Sequence, residues 1–246
     1  MPDAAAAALP GTLARLRREG RLAEARALLQ QRLAEEADPR TGFLFWQHAP
    51  FWWQPIEGPR VRLVRRGPDD AALVRRCWAD ADFMARFNRQ AVALPADDAA
   101  LAALLAGERD ALVEDHQALH WTVQVAGAGV GFVSLVDVGF RHRRAEFLIG
   151  LRPGTSSWAA VEAAHLALRF AAGPMQLERL VAHFYPDNVE AIRAALKLGF
   201  EHEGVLRGHL RDAATGRRED LVVTGLLLDQ AFAARSERLR RRLFGR

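Results

Sequence analysis

The sequence predicts an α+β fold in which a twisted, mostly antiparallel sheet carries helices on its faces. Residues 144–200 run in the order strand, turn, helix, strand, turn, helix, with Gly199 where the second helix is expected to end. Before this unit, three strand-like segments with short turns indicate an antiparallel meander at 120–125, 131–138 and 144–151. A sheet with helices on both faces accommodates this order.

The chain begins with a predicted helical hairpin, assigned to residues 1–41. Apolar residues recur at helical spacing on both sides of Gly20. The pattern L-x-x-x-G-R-x-x-E-A, followed by Asp38-Pro39, resembles one tetratricopeptide repeat. Because one repeat cannot bury its own face, we expect the hairpin to pack on the main domain, a partner protein or a second copy of the chain.

A tryptophan-rich linker is predicted next, at residues 42–58. Pro50, Pro55 and Pro59 favour an extended conformation over a helix. Aromatic side chains dominate buried contact energy, so we expect this segment to lie in a hydrophobic groove. An exposed aromatic platform for a ligand is the alternative.

The main domain is assigned to residues 59–230 and the basic C-terminal helix or tail to residues 231–246. Alternation of polar and apolar residues at 60–65 predicts a half-buried strand. The other predicted elements are helices at 71–78, 80–95 (or an irregular lid) and 97–114, and a closing hairpin of 203–211 and 220–227 around Ala214-Thr215-Gly216.

Composition limits the class of protein. The chain has 246 residues, of which 50% are hydrophobic, so a full core is expected. It contains no apolar run long enough for a membrane span and no typical secretory signal. Cys77 is the single cysteine, which suits a reducing compartment, so a cytoplasmic location is expected.

The formal net charge is +4, and Lys197 is the single lysine among many arginines. The arginines of 235–246 form the densest basic run. We favour a solvated tail helix over contact with nucleic acid or an acidic surface. No paired histidines or cysteines have metal-ligand spacing, and no Walker or dinucleotide motif is present, so no metal is expected.

Several motifs occur in a characteristic order. Arg144-Ala145-Glu146 leads into Ile149-Gly150-Leu151, and Glu162-Ala163 lies inside the following helix. Asn188 then precedes Leu198-Gly199-Phe200 and the segment at 203–207. Over residues 60–228 this order resembles the GNAT acetyltransferase superfamily, and within it the ribosomal-protein alanine acetyltransferases.

The resemblance implies acetyl-CoA as co-substrate and an amine as acceptor: a protein N-terminus, a side chain, an amino sugar or another small molecule. The strands at 144–151 and 180–184 would splay apart around the pantetheine arm. The amine would attack the thioester directly, with no covalent enzyme intermediate. A protein partner for the N-terminal helices and a homodimer stay open; no membrane contact is expected. The cofactor-binding residues implied are Ile149, Gly150, Leu151, Thr155, Ser156, Ser157, Trp158, Ala159 and Asn188.

One departure concerns the phosphate loop. Relatives carry Gly-x-Gly where this chain has Ser156 and Trp158, and glycine there allows close backbone approach to a phosphate. Either Trp158 turns outward and the loop still binds the cofactor, or a gap places Gly154 in the loop, or binding is weakened. The last case would make the chain a catalytically degenerate GNAT-like binding module.

The resemblance implies Glu146 as the general base. The alternative for Glu146 is a rim carboxylate paired with Arg143 or Arg144. His183 also lies in a strand, but alternation can turn it to the other face of the sheet. Asn188 is expected to contact the pantetheine, to act as a helix N-cap, or to do both.

The acceptor-binding candidates are His120 and Asp220. His120 begins a strand beside an aromatic residue, and Asp220 matches an acidic residue in the last hairpin of relatives. Many relatives protonate the leaving thiolate with a tyrosine, and the aligned residue here is Ala195. Tyr185, the single tyrosine, precedes Asn188 and is not assigned that role.

Overall fold

The computed structural model describes residues 4–89, 93–212 and 215–245. Within them, one sheet of eight strands forms the centre of the molecule. The strands are β1 (Ile56–Glu57), β2 (Val61–Arg65), β3 (Leu119–Val125), β4 (Ala128–Gly139), β5 (Arg144–Leu151), β6 (Arg179–Phe184), β7 (Glu201–Arg211) and β8 (Arg218–Leu227).

Helices precede the sheet, cover it and follow it. They are α1 (Ala4–Arg18), α2 (Leu22–Glu35), α3 (Pro39–Gln47), α4 (Ala71–Ala79), α5 (Ala81–Phe87), α6 (Asp98–Asp110), α7 (Val113–His116), α8 (Ser157–Ala172), α9 (Val189–Leu198) and α10 (Gln230–Phe244). None of these described helices combines the length and apolar character needed to cross a bilayer. The predicted helix or lid at 80–95 is α5 as far as Phe87, and residues 90–92 lie outside the described residues.

The strand order is β1-β2-β3-β4-β5-β6-β8-β7, and the described neighbours are antiparallel except β5 and β6. The predicted meander is β3-β4-β5, and the predicted closing hairpin is β7-β8; its turn residue Ala214 lies outside the described residues. The mixed, mostly antiparallel α+β fold is therefore confirmed.

Side-chain alternation assigns each strand residue to one face of the sheet. Phe147 of β5 belongs to the larger core, together with residues of α8 and α9. Phe132 of β4 packs instead with residues of α4, α5 and α6. We call these two sides the α8 face and the α5 face.

The prediction of an extended linker at 42–58 is wrong over most of its length, because α3 continues to Gln47 and a short 3-10 helix follows at Pro50–Trp52. The Asp38 carboxylate caps α3 by accepting hydrogen bonds from the N–H groups of Arg40 and Thr41, and Pro39 occupies the first turn. No proline follows until Pro50, so nothing stops the helix earlier.

The aromatic side chains of this segment are packed, as the sequence predicts. Trp52 is 2% exposed within the larger core, and Trp46, Phe51 and Trp53 pack against that core. Helices α1 and α2 form the predicted pair and share a small core of their own with α3, centred on Leu13 and Leu29. The division of the chain into domains stays a prediction.

Candidate active site

A slot opens through the sheet between β5 and β6. The two strands pair in parallel only at their starts, where Arg144–Glu146 face Arg179–Val181. From Phe147 to Leu151 the β5 backbone has no pairing with β6. The opening encloses about 240 Å³. Its lining comes from both faces, because Ile149 packs against the α8-face core whereas Phe87 of α5 belongs to the other side.

Glu146 and His183 meet at the α5 face of this slot. The His183 Nδ1 atom lies 2.9 Å from the Glu146 Oε1 atom, and each side chain is about a quarter exposed. The pairing register explains the contact: Glu146 lies opposite Val181, and His183, two residues on, points to the same face. His183 also lines the slot.

The 2.9 Å separation places the two groups within ion-pairing distance. An ionised carboxylate has no proton to donate, so it can only accept a hydrogen bond from Nδ1 or pair with the charged ring. The arrangement places a carboxylate directly beside an imidazole that lines the slot.

Helix α5 lies closely over the strand edge. A methyl group on Gly150 would collide with the Phe87 ring and lie 3.0 Å from Phe83 Cζ, so glycine permits this approach. Asn188 Nδ2 donates to the carbonyl oxygen of Arg86 at 3.2 Å. Asn188 stands at the N-cap position of α9 without capping it through its side chain. It ties α5 to the start of α9 instead.

A groove of about 590 Å³ leads from the slot between α8 and α9. Small residues line its α8 wall, including Ser157 and Ala160, whereas Arg193 and Lys197 lie on its α9 wall. No side chain of the described residues caps the first turn of α8. The N–H groups of such a turn have no partner within the helix and attract anions.

Trp158 points away from this groove. Its ring lies under the Arg60 guanidinium, 4.3 Å from guanidinium carbon to ring centroid. At 3.6 residues per turn, Trp158 is about 110° around α8 from the groove wall. The buried Glu162 carboxylate, on the same side, accepts from the N–H groups of Arg60 and Val61 at 2.9 and 3.0 Å. The tryptophan at the glycine position therefore leaves the groove open.

The comparison with known families settles the class. The family model for the acetyltransferase (GNAT) domain matches residues 60–201, more than half of the chain. The chain belongs to the GNAT acetyltransferase family. It is an N-acetyltransferase, which moves an acetyl group from acetyl-CoA to an amine. The catalytically degenerate alternative is not supported.

Named relatives of this GNAT chain include a spermidine N(1)-acetyltransferase of Escherichia coli strain K12. It is 34% identical over 154 residues, which are 62% of this chain and 74% of the relative. The structure of a GCN5-related N-acetyltransferase from Brucella melitensis shares the fold at a TM-score of 0.64 and 21% identity, covering 78% of this chain and 86% of that one. A spermidine N-acetyltransferase structure from Vibrio cholerae shares it at 0.59 and 20%, covering 70% and 97%.

The GNAT slot and groove bring together several predicted cofactor-binding residues. Ile149, Leu151 and Asn188 line the slot, and Ser157 lines the groove. Two predicted N–H groups already have backbone partners: Thr155 donates to Arg152, and Ala159 donates to Ser156. The remaining candidates for contact with phosphate are the N–H groups of residues 156–158.

The predicted acceptor residues lie elsewhere in this GNAT domain. The His120 Nδ1 atom lies 2.8 Å from Ser134 Oγ, two strands from β5 and thus roughly 10 Å away. Burial, with help from the Arg66 charge, lowers the pKa of His120 to about 3. Asp220 accepts from the Gly208 N–H at 2.7 Å and shapes the β7-β8 hairpin. Neither lines the slot.

A polar cluster centred on Arg89 lies on the α5 face, and its acidic members are neighbours in sequence of the predicted residues Asn188 and Asp220. Glu219 lies within 3.3 Å of Arg89, and its Oε2 atom is buried with no hydrogen-bond partner among the described residues. Asp187 holds Arg89 through both carboxylate oxygens, at 2.7 and 2.6 Å. The Tyr185 hydroxyl accepts from the Arg89 N–H, and burial raises the pKa of Tyr185.

The sequence interpretation considered His183 without assigning it to the site, and it missed Arg193, Lys197 and Glu219. It also left open the pairing of Glu146 with Arg143 or Arg144. Those two arginines pair with Glu178 and Asp137 instead. Among the described residues, no group of three histidine, cysteine or acidic side chains is arranged to hold a metal ion.

Proposed function

We propose that His183 removes the proton of the acceptor amine and that Glu146 orients and stabilises the imidazole. The observation that carries this proposal is the 2.9 Å contact between Glu146 and His183, because His183 lines the slot. A positioned histidine is the commonest general base in proteins. The roles differ from the sequence interpretation, in which Glu146 itself was the base.

Acetyl-CoA supplies the thioester carbonyl that the amine attacks. The chain offers the unpaired β5 edge to its pantetheine arm, and the first turn of α8 to its pyrophosphate. Gly150 and Ile149 belong to that edge. Arg193 and Lys197 outweigh Glu190, the one carboxylate among the described residues that line the groove, and give its α9 wall a net positive charge. Ala195, where many relatives have tyrosine, is buried at the slot, so the leaving thiolate takes its proton from water.

The acceptor we propose is an aliphatic polyamine. The 34% identical relative is named for spermidine, and the related Vibrio cholerae structure contains CoA and spermine. Glu146 and Glu219 both lie on the α5 face of the sheet. We propose that a distant ammonium group of the polyamine meets Glu219 while the amine beside Glu146 and His183 is acetylated. Asp187 holds Arg89 through both carboxylate oxygens, and Arg89 contacts only one oxygen of Glu219, so the Oε2 atom of Glu219 is the acceptor that we propose for the ligand.

A thiol-release assay with a panel of acceptors tests this proposal. Spermidine, an alanine-initiated peptide and glucosamine are compared at fixed acetyl-CoA, and products are identified by mass spectrometry. We expect kcat/KM to be highest for spermidine, and Glu219→Gln to raise KM for spermidine without affecting a monoamine of equal chain length. Preference for the peptide would instead support the narrower resemblance to the ribosomal-protein alanine acetyltransferases and contradict the polyamine proposal.

Three broader assignments belong to the same proposal. We place the enzyme in the cytoplasm because its single thiol suits a reducing compartment. Helices α1 and α2, with their tetratricopeptide-like pattern, are the surface proposed for a protein partner.

The edge strand β7, with exposed Val205 and Leu206, is the surface proposed for a homodimer. Sedimentation of the intact chain, alone and with a Val205→Lys variant, tests the dimer.

A further inference from the structure

A second, smaller pocket lies beyond the groove, where α10 crosses α8 and α9. It encloses about 150 Å³, and four cationic side chains line it: Lys197, Arg235, Arg238 and Arg242. No carboxylate is found among the described residues that line this pocket. We call it the basic pocket. The sequence interpretation treated these arginines as part of a solvated tail.

The arginines of α10 divide into two groups around the helix. Arg235, Arg238 and Arg242 lie on one stripe, within about 60° of each other at 100° per residue. Arg240 and Arg241 lie on other sides, and both pair with Glu237, the single carboxylate of α10. Among the described residues, no ion pair neutralises Arg235, Arg238 or Arg242. The stripe that faces the pocket therefore keeps its positive charge.

The basic pocket continues the cofactor groove. Lys197, Leu198 and Leu239 line both of them. Along α8, the groove wall runs from Ser157 to Ala164, a distance of about 10 Å at 1.5 Å per residue. A ligand that begins at the first turn of α8 and follows this groove therefore reaches Lys197 and the stripe of α10.

We propose that the basic pocket binds a phosphate monoester, namely the 3′-phosphate of acetyl-CoA. This inference rests on the proposed position of the cofactor in the groove. A phosphate monoester carries about −1.5 to −2 charges near pH 7, and arginine binds it through paired N–H donors. The pocket is a small concave space between three helices, which suits one phosphate better than the extended backbone of a nucleic acid.

The inference gives α10 a role in selecting the cofactor. The helix lies outside residues 60–201, which the family model matches. Arg235 packs over Gly199 at the end of α9 and keeps the two helices together. Arg238 and Arg242 are more exposed and are free to close on the ligand. The chain would therefore distinguish acetyl-CoA from its 3′-dephospho form.

Calorimetry on the intact chain tests the assignment. The probes are acetyl-CoA, 3′-dephospho-acetyl-CoA and inorganic phosphate, and the variants are Arg238→Gln, the double variant Arg238→Gln with Arg242→Gln, and Arg241→Gln as the matched control. We expect the wild type to bind acetyl-CoA about tenfold or more tightly than the dephospho form. The preference should shrink in Arg238→Gln, disappear in the double variant and persist in Arg241→Gln.

Competition experiments separate the source of the phosphate. Inorganic phosphate should weaken the binding of acetyl-CoA more than that of the dephospho form, because it competes with both cofactors at the first turn of α8 but at the basic pocket with acetyl-CoA alone. Simultaneous binding of phosphate and acetyl-CoA, or tight binding of a duplex oligonucleotide that the double variant loses, would overturn the assignment. Equal binding of both cofactors to the wild type would also overturn it while leaving the groove intact. Failure to bind either cofactor would instead contradict the proposed groove.

Discussion

Two histidines on the α5 face of the sheet have opposite surroundings. His183 contacts a carboxylate and is partly open to the slot. His120 is hydrogen-bonded to Ser134 and lies near Arg66 and Arg65. Burial and these positive charges disfavour the imidazolium, so His120 serves packing in its neutral form. Of the two histidines, His183 is therefore the one that we propose as the proton acceptor.

His120 makes stability depend on pH. Its pKa is about 3 in the folded chain and about 6.5 when unfolded. Between these values the unfolded chain binds the proton and the folded chain does not, so stability is complete above about pH 6.5 and falls as pH is lowered. We expect His120→Gln to flatten the dependence of the melting temperature on pH between 7 and 4. Parallel curves for variant and wild type would contradict this account.

The residue types of the site could be predicted, but their partners could not. Glu146 was identified because relatives often have an acidic residue at this place in the strand, near the splay. The partnership with His183 depends on the register between β5 and β6, which are separated by α8 along the chain. A shift of one residue would turn His183 to the other face. Lys197 and Arg193 were missed because exposed cations on a helix carry no distinctive pattern.

At the scale of elements, the position of α8 fixes one wall of the groove that we propose for acetyl-CoA. Glu162 is fully buried and accepts hydrogen bonds from two backbone N–H groups at the start of β2 and from the Arg60 guanidinium. These contacts join the second turn of α8 to a strand about a hundred residues earlier. Trp158 stacks on the same arginine. The first turn of α8 is thereby held open toward the slot.

Removing the Glu162 carboxylate should destabilise the chain strongly. Glu162→Ala leaves the buried Val61 N–H and the partly buried Arg60 N–H without their acceptor, so we expect a loss of about 2–3 kcal/mol in the free energy of unfolding. Urea denaturation measures it. The matched control is Glu178→Ala, which breaks an exposed ion pair with Arg143 and should change stability little. Equal losses in the two variants would contradict the anchoring role.

The strands and helix α8 could be predicted because their periodicity is clear and the turns between them are short. The segment at 42–58 could not, because its prolines suggested an extended chain. Proline ends a helix only where it falls within one, and Pro39 and Pro50 lie at the start and beyond the end of α3. The aromatic composition correctly indicated burial, since that depends on hydrophobicity alone.

For the molecule as a whole, the N-terminal helices and the sheet share one aromatic cluster. Trp52 contacts Trp46 of α3, Phe140 after β4 and Phe170 of α8, with ring centroids 4.8 to 6.4 Å apart. Arg17 of α1 also donates to the carbonyl oxygen of Asp110 at the end of α6. These contacts couple the two parts of the chain.

We therefore expect the N-terminal helices and the sheet to unfold together in one transition. Trp52→Ala should lower the free energy of unfolding by about 3–5 kcal/mol, because it leaves a large cavity in the shared cluster. Tryptophan fluorescence and far-ultraviolet circular dichroism should give coincident urea curves for the wild type. Leu104→Ala, at a 47% exposed residue of α6, is the control and should cost little. Two separated transitions in the wild type would contradict the coupling.

The central claim is that the His183–Glu146 pair deprotonates the acceptor beside acetyl-CoA held in the slot. The most direct measurement is kcat/KM against pH for the best acceptor, in the wild type, Glu146→Gln and His183→Gln. We expect His183→Gln to lose about a hundredfold or more, together with the wild-type fall in rate at acid pH, and Glu146→Gln to lose less. Acetyl-CoA should bind all three equally. Unchanged rate and pH profile in His183→Gln would contradict the claim.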